Sequence, residues 1–163
     1  MNRELIAIHS HAGSYLPHWR PGTDYTRCYS AIKEQGGGVL RDLSHEIDYL
    51  LWFCGGWKRL TAHGGTFGRL DIDSEDTFSI IFEGTRCPLA TLTLSYLEHT
   101  PRRTIVATCP DLTVTADLIA GTLTWANERH SFTVERDETY RLQHQSVLGD
   151  PDTPPAPLRK GWA

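Results

Sequence analysis

Residues 35–56 read Gln-Gly-Gly-Gly-Val-Leu-Arg-Asp-Leu-Ser-His-Glu-Ile-Asp-Tyr-Leu-Leu-Trp-Phe-Cys-Gly-Gly. Glycines bound the stretch at both ends, as they often bound helices. Between them Val39, Leu43, Ile47, Leu50, Leu51 and Cys54 recur at three- and four-residue steps. That spacing buries one face of a helix and predicts one over 38–54. A second stripe, Asp42, His45, Tyr49 and Trp52, is polar and aromatic. Residues three apart on a helix are neighbours, so Asp42 and His45 are expected to meet the same small molecule. Taken as a bare pair, without the glycine run, Asp42 and His45 read as an ordinary helix-surface ion pair. Glycine inside a helix costs roughly 1 kcal/mol relative to alanine. Three in succession therefore mark a loop ahead of the helix, where another backbone or a ligand comes close.

Upstream, residues 4–14 read as a strand, with His9 and His11 on one face because strand side chains alternate. A His-x-His pair ligates metals in some proteins, and in others is two partly exposed strand histidines. Residues 15–31 form an irregular loop rich in Tyr, Trp and Arg, broken by Pro17 and Pro21. Long loops inside compact domains are usually functional. Tyr15, Trp19, Arg20, Asp24 and Tyr25 are its candidate substrate-binding residues: aromatic faces stack on sugar rings, and arginine clamps a phosphate or carboxylate. The competing reading is an aromatic plug over the core.

Downstream of the helix the pattern changes to period two. Strands are expected over 57–67, 75–83, 87–98, 103–109, 112–117, 122–126 and 131–136, punctuated by turn residues at roughly ten-residue spacing. The expected fold is α+β, a mostly antiparallel sheet of about six strands with helices on one face. A last helix is expected over 139–148. Residues 149–163 hold four prolines in seven positions and read as a disordered tail. Residues 1–148 are read as a single domain.

The chain has 163 residues, 39% hydrophobic and 22% charged, with net charge −4. These values suit a globular domain with a sizeable core. No basic run exceeds two residues, which argues against nucleic acid. No apolar run approaches the roughly 20 residues of a membrane helix. The start lacks a signal-peptide pattern. The four cysteines are scattered without a C-x-x-C pair, which favours reduced thiols, a cytoplasmic setting and no zinc site.

The run Gly-Gly-Gly-Val-Leu-Arg-Asp-Leu-Ser-His-Glu-Ile-Asp-Tyr-Leu over 36–50 resembles the second signature of the glucose–fructose oxidoreductase/inositol dehydrogenase (Gfo/Idh/MocA) family. The resemblance implies the C-terminal half of a two-domain, nicotinamide-dependent sugar dehydrogenase. It implies that His45 is the catalytic base and Asp42 its partner carboxylate. Many members separate the two by four positions; here the step is three, which still keeps them on one helix face. The segment Tyr-Leu-Pro-His-Trp-Arg-Pro-Gly-Thr-Asp-Tyr over 15–25 is similar to members linked to nonulosonic-acid and surface-polysaccharide pathways. Those act on amino sugars, often nucleotide-linked.

The resemblance covers residues 5–147 and is confined to that C-terminal half. No Gly-x-Gly-x-x-Gly follows a strand, so the dinucleotide fingerprint is missing, as is the Glu-Lys-Pro segment that carries the family's lysine. The expectation is a substrate-binding and oligomerisation domain, truncated and inactive alone. NAD or NADP would be held mainly by the absent half, no metal is expected, and self-association would use the open sheet face. Two other readings stand beside it. One is a metal-dependent enzyme using His9, His11, Asp42 and His45. The other is a non-catalytic interaction module.

Overall fold

The computed structural model describes residues 4–133, 135 and 137–148. They fall into two compact units, one up to Ser131 and one from Phe132. The expected proline-rich tail, 149–163, lies outside the described residues.

The first unit runs β1 (Ala7–Gly13), four short 3-10 turns, α1 (Val39–Asp42), α2 (Ser44–Cys54), then β2 (Trp57–Gly65), β3 (Thr77–Gly84) and β4 (Leu89–Ser95). It closes with β5 (Arg102–Thr108), β6 (Thr113–Asp117), β7 (Thr122–Trp125) and β8 (Glu128–Ser131). All eight strands join one sheet, ordered β2-β3-β4-β1-β5-β6-β7-β8. The mostly antiparallel α+β architecture is the expected one; the strand count is eight rather than about six.

Two details depart from the sequence reading. β1 is not part of the meander. It inserts between β4 and β5, parallel to the first and antiparallel to the second. The last strand lies at Glu128–Ser131 instead of 131–136. Ala126 adopts φ +48° and tightens the β7–β8 turn, bringing the return strand in early.

Alternation sorts the sheet into two faces. Ile8, Ala12, Leu92, Leu94, Ile105 and Ala116 are buried on one of them, with Val39, Leu50 and Cys54 of the helices. His9, His11, Thr91, Thr93, Ser79 and Thr104 lie on the other, paired in register.

The glycine run explains the turn into α1. A Cβ on Gly37 would lie 2.2 Å from the Tyr29 carbonyl oxygen, and one on Gly38, at φ +124°, 2.2 Å from a Glu75 carboxylate oxygen. The close neighbours are thus a backbone and a carboxylate. The predicted continuous helix is broken at Leu43, which leaves helical geometry at φ −104°, ψ 23°. The break puts Asp42 at the end of α1 and His45 in the first turn of α2. Asp42 and His45 consequently do not share one helix face.

The second unit contains α3 (Glu138–Leu148), close to the predicted 139–148 helix. Within it Arg141 pairs with Glu135 at 3.9 Å.

Candidate functional site

After the break, α2 starts with Ser44, His45 and Glu46, and its first turn carries a polar cluster built around Glu46. Leu50 and Cys54 are core residues four and eight positions beyond Glu46, so the same helix face takes Glu46 to 1% exposure. A buried carboxylate needs partners, and Glu46 has three. Its Oε1 lies 2.7 Å from Nε of Arg103 on β5 and 3.1 Å from Nε2 of His45. Its Oε2 accepts from the Tyr49 hydroxyl at 2.7 Å. The Arg103 contact is an ion pair approached off the N–H axis, not a directed hydrogen bond.

Tyr49 has only one hydroxyl proton and gives it to Glu46, so Ser10 of β1 donates to Tyr49, at 2.5 Å. Burial holds the Tyr49 phenol above the ordinary tyrosine range; the Ser10 bond opposes this and the Glu46 carboxylate reinforces it.

His45 is 56% exposed and opens onto a cleft of about 150 Å³. Its walls come from the end of β1 (Ala12, Gly13, Ser14), from Leu43, His45 and Glu46, from Pro101, Arg102 and Arg103, and from Ile119. An apolar cavity of about this size accommodates benzene. The cleft therefore has room for one six-membered ring, with an imidazole and two guanidinium groups beside it.

The other expected residues lie elsewhere. Asp42 faces the sheet, where its Oδ2 accepts from the Tyr96 hydroxyl at 2.6 Å. Among the described residues no hydrogen bond or ion pair joins Asp42 to His45. Tyr96 receives the edge of Trp19 with ring centroids 5.2 Å apart, and Trp19 donates to the Ser14 carbonyl at 3.3 Å.

Trp19, Arg20 and Tyr25 surround a second cavity of only about 10 Å³, the scale of a single water. Arg20 lies over the Tyr29 ring at 5.5 Å. Tyr25 accepts from the Asp71 amide. Asp24 caps its own turn through Thr26, whose hydrogen bonds hold the Asp24 carboxyl below its usual range. Tyr15 alone adjoins the cleft: it follows Ser14 in the chain and stacks on His99, ring centroids 4.1 Å apart.

His9 and His11 occupy the sheet face away from α2, bonded to Thr91 at 2.8 Å and paired with Glu98 at 2.7 Å. Among the described residues no three His, Cys, Asp or Glu side chains are placed to hold a metal.

Glu46 and Arg103 were not singled out from the sequence, although the signal was present. Glu46 continues the Leu50, Cys54 spacing one turn back, and Arg103 shares the alternation of Ile105.

A family profile described as the GFO/IDH/MocA C-terminal domain matches residues 4–134. The chain belongs to the Gfo/Idh/MocA C-terminal domain family. No curated protein matches it by sequence. Among solved structures it is similar to an oxidoreductase from Thermotoga maritima, at 13% identity and TM-score 0.72, covering 93% of this chain and 45% of that one. It is similar to the WlbA dehydrogenase from Bordetella pertussis in complex with NADH and UDP-GlcNAcA (19% identity, TM-score 0.64, 89% and 44% coverage). It is also similar to the UDP-N-acetylglucosamine 3-dehydrogenase GnnA from Acidithiobacillus ferrooxidans (14%, 0.67, 90% and 46%). At these identities the likeness establishes the fold. The chain spans less than half the length of each of these three proteins.

A Gfo/Idh/MocA dehydrogenase needs a nicotinamide dinucleotide. The glycine run of this chain does not fit the pyrophosphate of that cofactor. Gly37 packs on carbonyl oxygens and Gly38 on the Glu75 carboxylate, and both repel an anion. No helix among the described residues is long and apolar enough to cross a membrane.

Proposed function

We propose that this chain is the substrate-binding part of an NAD(P)-dependent sugar or nucleotide-sugar dehydrogenase, with the cleft beside His45 receiving the sugar ring. The observation that carries the reading is the cleft itself: room for one ring, bordered by a half-exposed imidazole that rests on a buried carboxylate. His45 takes the proton of the sugar hydroxyl as general base, a role suited to a side chain that titrates near neutrality. Glu46 balances the charge that the imidazole gains. Arg102 and Arg103 bind the oxygens of the sugar or of a charged substituent.

Tyr15, stacked on His99 at the rim, extends the cleft outward toward whatever is attached to the sugar. Trp19, Arg20, Asp24 and Tyr25 hold the loop that carries Tyr15, and Asp42 anchors that loop from beneath through Tyr96. The names of the similar proteins, two of which concern UDP-sugars, support amino or nucleotide sugars as the substrate class. The hydride acceptor belongs to a nucleotide-binding half that this sequence does not contain, so the chain alone is inactive.

The test is a titration of the isotope-labelled chain with UDP-N-acetylglucosamine, glucosamine and inositol, followed by NMR. Binding on the order of millimolar, with shifts centred on His45, Arg103 and Tyr15, supports the reading. Shifts centred on the open sheet face, or none with any of these ligands, overturn it.

A further inference from the structure

We infer that Arg103 grips the sugar in the cleft and that Glu46 is its positioning residue, a carboxylate kept at a core position to hold that guanidinium rather than to stabilise the fold. The inference rests on the reading of the cleft as the sugar site. It starts from where Glu46 stands. Leu50 and Cys54, one and two turns further along α2, are fully buried apolar residues, and Glu46 takes the same helix face at 1% exposure. An apolar side chain would fill that position without needing a partner. Taking a carboxylate out of water is costly, and the attraction to its partner often does no more than offset that cost. The carboxylate is also fixed in place. Tyr49 donates to Oε2 at 2.7 Å, and Ser10 of β1 holds Tyr49.

Arg103 meets this carboxylate at the wall of the cleft. On β5 it stands opposite Ala12 of β1, and Ala12, Glu46 and Arg103 all line the cleft. The short Ala12 side chain leaves the space beside the guanidinium open. Arg103 Nε lies 2.7 Å from Glu46 Oε1 and is buried, while the side chain as a whole is 42% exposed. The exposure therefore lies elsewhere on the side chain, and the outer Nη groups make no hydrogen bond among the described residues. A guanidinium held along one edge presents its remaining N–H groups as a planar fork, which a lysine cannot do. Glu46 already matches the charge of that fork. It therefore suits the uncharged oxygens of a sugar, its hydroxyls or an amide carbonyl.

The experiment has one arm without ligand and one with it, both on the full chain. In the first, nitrogen relaxation of the Arg103 Nε–H group is measured in wild type and in Glu46→Gln, which keeps the shape of the side chain and removes its charge. Wild type is expected to be ordered, with an order parameter above about 0.6, and the variant to fall below it. In the second, UDP-N-acetylglucosamine is titrated. Arg103→Lys, which keeps a cation but not the fork, should bind about tenfold more weakly, the scale of one hydrogen bond to a charged group. The double variant Glu46→Met, Arg103→Met replaces the pair by apolar groups of similar volume. Its urea midpoint should be no lower than that of wild type, while its affinity falls at least as far as that of Arg103→Lys. A merely structural pair would give the opposite split, a lower midpoint with unchanged affinity.

Three results overturn the inference: a mobile Arg103 in wild type or an equally ordered one in Glu46→Gln, full affinity in Arg103→Lys, or the structural split in the double variant. If wild type binds no sugar in the cleft, the sugar-site reading fails and the grip on the sugar falls with it. The relaxation arm then still decides whether Glu46 positions Arg103.

Discussion

The Tyr96 hydroxyl donates to Asp42 Oδ2 at 2.6 Å, joining the residue that follows β4 to the last residue of α1 across 54 positions of sequence. Tyr96 is fully buried. Its ring carries the edge of Trp19, so one side chain ties together the sheet, the helix break and the aromatic loop. Burial first, then the bond to Asp42, raises the Tyr96 phenol above the ordinary value of 10.0.

The pH dependence follows with a definite sign. The folded pKa lies above the unfolded one, so the contribution of Tyr96 is complete below pH 10 and is lost as pH rises further. The slope is about 1.4 kcal/mol of stability per pH unit for each such tyrosine. Urea unfolding of wild type should show a midpoint that is flat near neutrality and falls above about pH 10. Tyr96→Phe should lose about 1–3 kcal/mol at neutral pH, because Asp42 is left without its donor. Its alkaline decline should also be shallower. Equal alkaline slopes in the two proteins would remove Tyr96 as the cause.

The thiols of Cys54 and Cys87 are expected to be inert in the folded chain. Both are buried, at 0% and 1% exposure. Burial, aided by the neighbouring Cys87, pushes the Cys54 thiol up to about 12. The thiolate is the reactive form, so at pH near 8 that of Cys54 is scarce as well as inaccessible. Alkylation followed by mass mapping should leave Cys54 and Cys87 unmodified until urea unfolds the chain. Rapid native labelling of Cys54 would show that the C-terminal end of α2 opens locally, and of Cys87 that the β3–β4 connection does.

Most of the fold was legible because burial writes a period into the sequence. The alternation through Ala90, Leu92 and Leu94 is the buried face of β4 and continues to Tyr96 beyond it, and Val39, Leu50 and Cys54 are the buried apolar points of the helices. The position of β1 was not legible, since a strand buried at the centre of a sheet has the same local pattern whichever neighbours it inserts between. The break at Leu43 was not legible either. Leu43 fits the helical spacing, and its non-helical dihedrals accompany long-range ties made by its neighbours: Val39 to Glu75 and Asp42 to Tyr96. This one residue changes the site. It divides Asp42, bonded to Tyr96 at the end of α1, from His45 and Glu46 in the first turn of α2. Glu46 continues the Leu50 and Cys54 spacing one turn back, so its burial was legible, while its contacts with Arg103 and His45 join separate elements or follow the break at Leu43.

Self-association through the open sheet face is the third expectation. No helix of the first unit packs there, and the face presents Thr91, Thr93, Ser79, Thr104, His9 and His11. Several are joined side by side, as in Ser79 to Thr93 at 3.2 Å and His9 to Thr91 at 2.8 Å. Short hydroxylated side chains make a flat surface that a second copy can match about a two-fold axis, with little side-chain entropy to lose. Sedimentation equilibrium should show a dimer. Thr93→Arg, which places a long cation on the middle of the face, should shift it to monomer without changing thermal stability by more than about 0.5 kcal/mol. A wild-type monomer at high micromolar concentration would rule out this surface.

The last expectation is that the isolated chain does not bind NAD⁺ or NADP⁺. Dinucleotide binding in open α/β folds places the pyrophosphate on a glycine-rich turn that opens onto a helix N-terminus. Among the described residues the glycine run that opens onto a helix is Gly36-Gly37-Gly38 ahead of α1. There the space is already taken: Gly37 lies against three carbonyl oxygens, and Gly38 against both oxygens of Glu75. The Gly38 amide, which would have to face a phosphate, donates instead to the Ser30 carbonyl at 3.1 Å, and the Val39 amide donates to the Glu75 carbonyl at 3.0 Å. A pyrophosphate would have to displace these bonds and then face a carboxylate at contact distance. The nicotinamide end finds no substitute, because the cleft beside His45 has room for a single ring, the place proposed for the sugar. Calorimetric titration with both dinucleotides should therefore give no heat of binding up to millimolar ligand. Adding UDP-N-acetylglucosamine first should not change that, since the sugar supplies no phosphate cradle. A dissociation constant in the micromolar range would mean that the Glu75 carboxylate swings away and that the glycine run binds anions after all. Glu75→Gln should then tighten the binding, and an unchanged constant in that variant would direct the search to another surface.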